Sequence, residues 1–330
     1  MYGQTRLGVL QLLRYNVMGG GADLYGTEGP LFYLKNLALN LNVGLPLALA
    51  LPAAAVAARR VWTVRFPVAL GCAVAPLWLW LGAMSIPAHK EERFMYCIYP
   101  TVCLAAACTL DALPWALADL APPGRKLEVK RAGTRATKLV LSAILVLSVS
   151  RTLALFEYYR APMEVYKALP VRSTWVGLTP PEQATVCVAD DWFRFPSAFF
   201  LPSPRYRLKF LRTSFDGMLP GDFEAARGGT AWGSPALNDG NREATAFYAR
   251  QSECDFLVEQ QRGAGHELLD VGSQVQAESA GVKGVWRVLA ARPFLDAAAS
   301  PFLTRVLYLP PLSQQRNAYV TYTLLQRLSH

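Results

Sequence analysis

Histidine is almost missing from this chain: His89, His266 and His330 are the only three in 330 residues. None lies at a ligand spacing from cysteine, so the sequence offers no zinc module. Charge is scarce too, with Asp, Glu, Lys and Arg at 17% against 52% hydrophobic residues. A soluble domain carries nearer a quarter charged residues, so composition points to a membrane. There is no Asn-x-Ser/Thr triplet, no internal repeat, and no low-complexity tract beyond alanine-rich apolar runs. The opening "MYGQTRLGVLQLLRYNVMGGG" lacks a signal-peptide cleavage pattern, and Leu7 to Met18 reads like the tail of a helix whose earlier turns are missing.

The charge that is present is unevenly placed. Residues 1–156 hold 15 Lys/Arg against 7 Asp/Glu, whereas residues 157–330 hold 18 against 17. A net charge of +9 invites a nucleic-acid reading, but the excess sits in short loops of the apolar half. That is the pattern of membrane topology, and nucleic acid is set aside as a partner.

Four segments approach the length of about 20 residues that a helical span needs. They are Leu37–Ala58, Phe66–Pro87, Phe94–Leu117 and Leu139–Phe156, the third expected to end early at Asp111 and Pro114. Arg59, Arg60 and Arg65 join the first pair; Arg125, Lys126, Lys130, Arg131, Arg135 and Lys138 join the last pair. The positive-inside rule places both connections in the cytosol. Residues 1–36, the 87–93 loop and everything after Phe156 then share the opposite side. The expected fold is an α-helical multi-span membrane protein of about four spans (37–156) followed by an α+β domain (157–330) on that side.

In the second half, "ATVCVA", "YRLKFLR", "CDFLVEQ" and "VLYLP" read as strands, and Ala161–Leu169 and Asn241–Gln251 as helices. Cys72, Cys97, Cys103 and Cys108 fall in spans and read as small buried thiols. Cys187 and Cys254 lie in the α+β domain, where an oxidising compartment permits a disulfide.

Between the second and third spans stands "HKEER", His89 to Arg93, five ionisable residues in a row. If a helix begins near Pro87, then His89, Glu92 and Arg93 share one face, with Lys90 as a flexible second cation. Such a cluster suits a lipid-linked phosphate, because Arg grips phosphate oxygens in pairs and Lys adds point charge. It also suits a helix end that snorkels at headgroup level. On the same side, "GGGADLYGTEGPLFYLKN" supplies Asp23, Tyr25 and Glu28 before the first span. Carboxylates, an aromatic ring and cations at one interface fit sugar transfer from a lipid phosphate. Asp23 and Glu28 read equally well as turn and cap residues.

"DLYGTE", "FYLKN" and "HKEERFMYCIYP", with "CVADDWFRFPSAFFLP" and "LYLPPLSQQRNAYVTYTLLQR" later, resemble the endoplasmic-reticulum α-1,2-mannosyltransferases of asparagine-linked glycosylation. These are glycosyltransferases of family 22 in the GT-C superfamily. The resemblance runs over essentially the whole chain. It implies mannose transfer with inversion from dolichyl-phosphate mannose to a dolichyl-diphosphate-linked oligosaccharide, in the endoplasmic-reticulum membrane with a luminal carboxyl-terminal domain. His89, Lys90 and Arg93 would take the donor phosphate, with Glu91 and Glu92 orienting them. No cofactor or metal is implied. The family continues "YGTE" with Pro-Trp-aromatic where Gly29, Pro30 and Leu31 stand here. It also carries a key acidic residue in a luminal loop far upstream, so the catalytic base is unassigned and the chain reads as a carboxyl-terminal part. The alternatives are a truncated non-catalytic relative, a membrane-anchored luminal adaptor, or a glycosylphosphatidylinositol-anchor mannosyltransferase, which Glu92 and "YGTE" disfavour.

Overall fold

The computed structural model describes residues 7, 26–58, 68–170, 183–189, 197–212, 219, 238, 242–243, 245–261, 274–276 and 285–328. The chain divides into two compact units, one within residues 6–152 and one within 153–330.

The first unit is helical. The expected first span is not one helix but three: α1 (Phe32–Leu41), α2 (Gly44–Leu49) and α3 (Leu51–Ala58). The break falls at Asn42, whose φ is +43°, and its amide side chain donates to the Ser148 hydroxyl at 3.1 Å. Pro46 and Pro52 lie in the first turns of α2 and α3, where an N–H has no helical acceptor to lose. The breaks therefore sit where the prolines cost least. α4 (Val68–Ser85) follows, then a 3₁₀ segment (Glu92–Ile98) running into α5 (Tyr99–Leu120) and α6 (Lys126–Tyr159).

Among the described residues, two helical stretches are long and apolar enough to cross a membrane. They are Glu92–Leu120 and Pro123–Tyr159, in which the apolar 18-residue windows have mean hydropathies of 1.5 and 2.2; Leu70–Ser85 is a shorter apolar helix. The third segment does not end early, because Pro114 is carried inside α5, which continues to Leu120. The basic connection after it is also largely helical, since α6 already begins at Lys126. Lys126 pairs with Asp119 at 3.7 Å, and the Lys130 ammonium stands 3.1 Å from the Trp115 ring centroid. A cavity of about 340 Å³ lies beside this contact, lined by Asp111, Pro114, Trp115, Lys130, Thr134 and Thr137 among others. Alanines let the helices approach closely: Ala58 of α3 meets Ala112 and Ala116 of α5. A Cβ on Gly133 would stand 2.9 Å from the Pro114 Cα. Cys72, Cys97 and Cys103 lie on exposed helix surfaces, not in the interior as expected.

The second unit is built on a six-stranded sheet in the order β2-β1-β3-β6-β5-β4. α7 (Ala161–Glu164) and a 3₁₀ turn precede β1 (Ala184–Val188), β2 (Tyr206–Phe210) and β3 (Phe256–Gln261). β4 (Gln274–Gln276), β5 (Val285–Leu295) and β6 (Tyr319–Arg327) complete it. β1 runs parallel to both β2 and β3; the other pairings are antiparallel. Alternation divides β1 between two cores. Val186 and Val188 join Phe256, Val258, Phe294 and Tyr322 with α7, whereas Cys187 joins Leu257, Trp286, Val288 and Leu325. Cys187 is disulfide-bonded to Cys254 across a Cα separation of 5.6 Å.

Two expectations fail here. "VLYLP" is not a strand: Val306 ends α8 (Phe302–Val306), and the chain then runs extended towards α9 (Leu312–Arg316). Its backbone groups are met by side chains, since the Ser313 hydroxyl donates to the Leu307 carbonyl and accepts from the Leu309 N–H. Around Asn241–Gln251 the described residues form short 3₁₀ turns at Thr245–Phe247 and Gln251–Glu253, not a helix.

Candidate functional site

The charged block begins as extended chain. Glu91 has φ −129° and ψ 143°, and helical geometry starts only at Glu92. His89, Glu92 and Arg93 therefore do not share a helical face, contrary to expectation. In extended chain it is residues two apart that point the same way, and Glu91 stands between His89 and Arg93. Its carboxylate receives Arg93 twice, with Nε 2.5 Å from Oε2 and Nη2 2.7 Å from Oε1. His89 Nε2 lies 3.1 Å from the same Oε1.

His89 is fixed from its other side as well. Nδ1 donates to the Gly26 carbonyl at 2.9 Å. One ring nitrogen thus stands on a carbonyl and the other on a carboxylate, so the imidazole is held from both edges. Burial pushes the Glu91 carboxyl upward, but the hydrogen bonds and charges of His89 and Arg93 outweigh it and hold the pKa below the ordinary carboxylate value.

Lys90 is not a flexible cation. It is 7% exposed, and its ammonium donates to the carbonyls of Pro87 at 2.6 Å and Glu28 at 3.1 Å. The Glu28 N–H in turn donates to the Ala88 carbonyl at 2.9 Å. These contacts strap residues 26–28 onto residues 87–90. Gly26 makes the strap possible: its φ of +92° is a backbone region open to glycine, and it aims the carbonyl at His89. The Glu28 side chain itself is exposed. Asp23 and Tyr25 lie outside the described residues.

Glu92 faces away from this triad. Its Oε1 accepts from the Asn40 amide at 2.6 Å, and that amide also donates to the Tyr99 hydroxyl at 3.0 Å. Asn40 and Tyr99 were not picked out from sequence, because their only signal is proximity across 52 and 59 positions. The Trp80 indole N–H donates to the Phe94 carbonyl at 2.7 Å, tying α4 to the turn after the block. Tyr33 of α1 is 1% exposed.

Exposure grades the three linked residues. The His89 side chain is 12% exposed, Glu91 32% and Arg93 68%. Glu91 occupies the Nε–Nη2 edge of the guanidinium, and the Arg93 Cζ stands 5.9 Å from the Phe94 ring centroid. The arrangement is an arginine clamped along one edge by a carboxylate, with most of its side chain exposed.

Residues 1–202 match the model of the Alg9-like mannosyltransferase family. The chain is 34% identical to the alpha-1,2-mannosyltransferase ALG9 of Arabidopsis thaliana over 323 residues, 97% of this chain and 53% of that protein. It is 35% identical to the Homo sapiens ALG9 over 340 residues, 98% of this chain and 53% of the relative. A GPI mannosyltransferase 3 of Yarrowia lipolytica is 32% identical over 114 residues, only 34% of this chain and 20% of that protein. The chain thus spans about half the length of the curated ALG9 relatives it matches. No solved structure matches it.

Proposed function

Because the chain belongs to the Alg9-like mannosyltransferase family, we propose that it forms the leaving-group half of an α-1,2-mannosyltransferase site in N-glycan precursor assembly. The donor is dolichyl-phosphate mannose and the acceptor a dolichyl-diphosphate-linked oligosaccharide. The site is on the luminal face of the endoplasmic-reticulum membrane, with four membrane-crossing segments and a luminal sheet domain.

The observation that carries this reading is the clamped, exposed arginine. In an inverting transfer an acceptor hydroxyl oxygen bonds to mannose C1 and its proton passes to a general base, which is unassigned in this chain, while the C1–O bond to phosphate breaks. The bonding pair leaves with the phosphate, whose negative charge rises. Arg93 meets that charge with its exposed guanidinium, held in direction by Glu91. His89 acts through Glu91, as a buried partner that keeps the carboxylate in place. Lys90 acts by holding the 26–28 strap, not by touching the donor. The asparagine-linked branch is favoured over the glycosylphosphatidylinositol branch because ALG9 relatives align along nearly all of the chain, the other along a third.

The test is specific activity per inserted protein, with donor varied, in microsomes expressing a full-length enzyme that contains this segment. Arg93→Ala should lower donor use by about two orders of magnitude, comparable to loss of one transition-state donor. Arg93→Lys should restore only part, since an ammonium keeps charge but not the fork. A wild-type donor dependence in Arg93→Ala would remove the assignment.

A further inference from the structure

The second unit exposes a group of large apolar side chains where α6 ends. We propose that Phe302 and Leu303 of α8, with Phe156 and Met163 at the α6–α7 corner, form a lipid-contacting pad. It enters the headgroup and upper acyl region of the leaflet from which α6 emerges. The proposal rests on the reading of α6 as a membrane span and adds a second point of membrane contact.

Phe302 is 60% exposed, Phe156 56%, Leu303 55% and Met163 43%. They belong to pieces of chain that are fixed to one another. Tyr158, two residues beyond Phe156 and 2% exposed, donates its hydroxyl to the Thr304 carbonyl at 3.1 Å. Thr304 lies two residues beyond Phe302 and is held in turn by Asn317, through contacts of 2.6 and 3.0 Å. The Tyr158 ring packs against Tyr308 and Tyr319 at centroid distances of 6.1 and 6.3 Å. α8 is therefore locked to the end of α6.

That end marks the edge of the bilayer. From Leu145 onward the exposed large apolar residues of α6 are Leu145, Val146, Val149, Leu153, Leu155 and Phe156, with the half-buried Arg151 between Val149 and Leu153, and Glu157 follows them. One helical turn rises about 5 Å, and interfacial side chains lie about 5–10 Å into the headgroup and acyl boundary. Side chains locked beside this last turn stand at that depth. Both phenylalanines also carry a guanidinium, with Arg160 Cζ 5.0 Å from the Phe156 ring and Arg305 Cζ 5.6 Å from the Phe302 ring. An aromatic ring below a cation is the pairing suited to an apolar layer capped by phosphates. The neighbouring carboxylates Glu157 and Glu164 are both paired with Arg160, at 3.3 and 3.7 Å. They therefore add little repulsion towards anionic headgroups. Continuity with the apolar run of α6 favours lipid over a protein partner as the occupant.

The test uses the full chain in nanodiscs of phosphatidylcholine and phosphatidylserine, with Cys72, Cys97, Cys103 and Cys108 replaced by Ala. An environment-sensitive fluorophore is placed at Phe302→Cys, or at Leu303→Cys should the first fold poorly. Leu145→Cys reports on the span and Arg205→Cys on solvent. Lipid nitroxide at a shallow acyl position should quench the label at 302 at least fivefold more strongly than at 205, with a blue-shifted emission. Emission at 302 like that at 205 overturns the proposal. A blue shift without lipid quenching does so too, because protein then covers the pad. If 145 is also unquenched, it is the reading of α6 as a span that fails.

Discussion

Thr137 of α6 donates its hydroxyl to the Leu110 carbonyl of α5 at 3.4 Å. Leu110 lies four residues before Pro114, so its carbonyl has lost its helical N–H. A neighbouring helix supplies the missing donor, which is how a proline is carried inside a helix in an apolar setting.

This relationship predicts a coupled pair. Thr137→Val should destabilise the helical unit by roughly 0.5–1 kcal/mol, the size of an interhelical hydrogen bond in a membrane. In a Pro114→Ala background, Leu110 regains its own N–H and the same substitution should cost close to nothing. Reversible unfolding in detergent micelles, read as a double-mutant cycle, measures the coupling. Equal losses in both backgrounds would show that the long hydroxyl contact contributes no stability.

Gly26 is predicted to matter for its backbone. No atom lies within 4 Å of a Cβ built there, so space is not limiting, but φ is +92°. Ala should cost about 1–2 kcal/mol of local strain and loosen the carbonyl that fixes His89. Asn, which visits left-handed backbone more readily, should be tolerated better than Ala or Val. Donor KM ranked Gly, Asn, Ala, Val from best to worst is the expected result. An unchanged KM for Val would mean the strap does not position the site.

The bridge between Cys187 and Cys254 closes 67 positions of chain. Loop-closure arguments give about 4 kcal/mol for a loop of this size. Cys187→Ser should therefore lower the melting temperature of the sheet unit by several degrees. Cys187→Val with Cys254→Ala should recover part of the loss, because Cys187 is buried among Leu257, Trp286 and Leu325. Peptide mapping without reduction should yield the linked pair. Free alkylation of both thiols in unreduced, denatured protein would contradict it.

How much was legible follows from where each signal resides. β1, β2 and β3 are short apolar or alternating runs bounded by turn residues, and local pattern sufficed. β5, "VWRVLAARPFL", carries Arg287, Arg292 and Pro293 with a register shift between Val288 and Ala290, which blurs its period. "VLYLP" resembles a strand because its apolar residues are real; its backbone partners are the side chain of Tyr158, 149 positions away, and that of Ser313 in the next helix. The charged block was readable as a cluster but not as a geometry. A helical start at Pro87 gives i, i+3 and i+4 neighbours; the extended start gives i and i+2, and so selects Glu91 as the hub. What decides between them is the Lys90 strap to Glu28, 62 positions away.

The last prediction concerns that hub. Glu91→Gln keeps the shape but removes the charge that holds Arg93 and His89, so it resembles the protonated wild type at every pH. Hydrogen bonds to charged groups are worth about 1.5–3 kcal/mol, so donor affinity should fall roughly tenfold or more at neutral pH. The sign of the pH dependence follows from the direction of the shift. The Glu91 pKa is depressed in the folded protein by His89 and Arg93, against the opposing push of burial. Its contribution is therefore fully present above the ordinary glutamate value of about 4.3 and is lost as pH falls through the lower folded value. The ratio of wild-type to Glu91→Gln donor affinity should stay constant from pH 8 to pH 5 and close only below about pH 4, near and under that glutamate reference. Equilibrium binding of radiolabelled donor to the full-length protein in nanodiscs measures it without requiring turnover. A ratio near one at neutral pH would remove Glu91 as the group that aims Arg93.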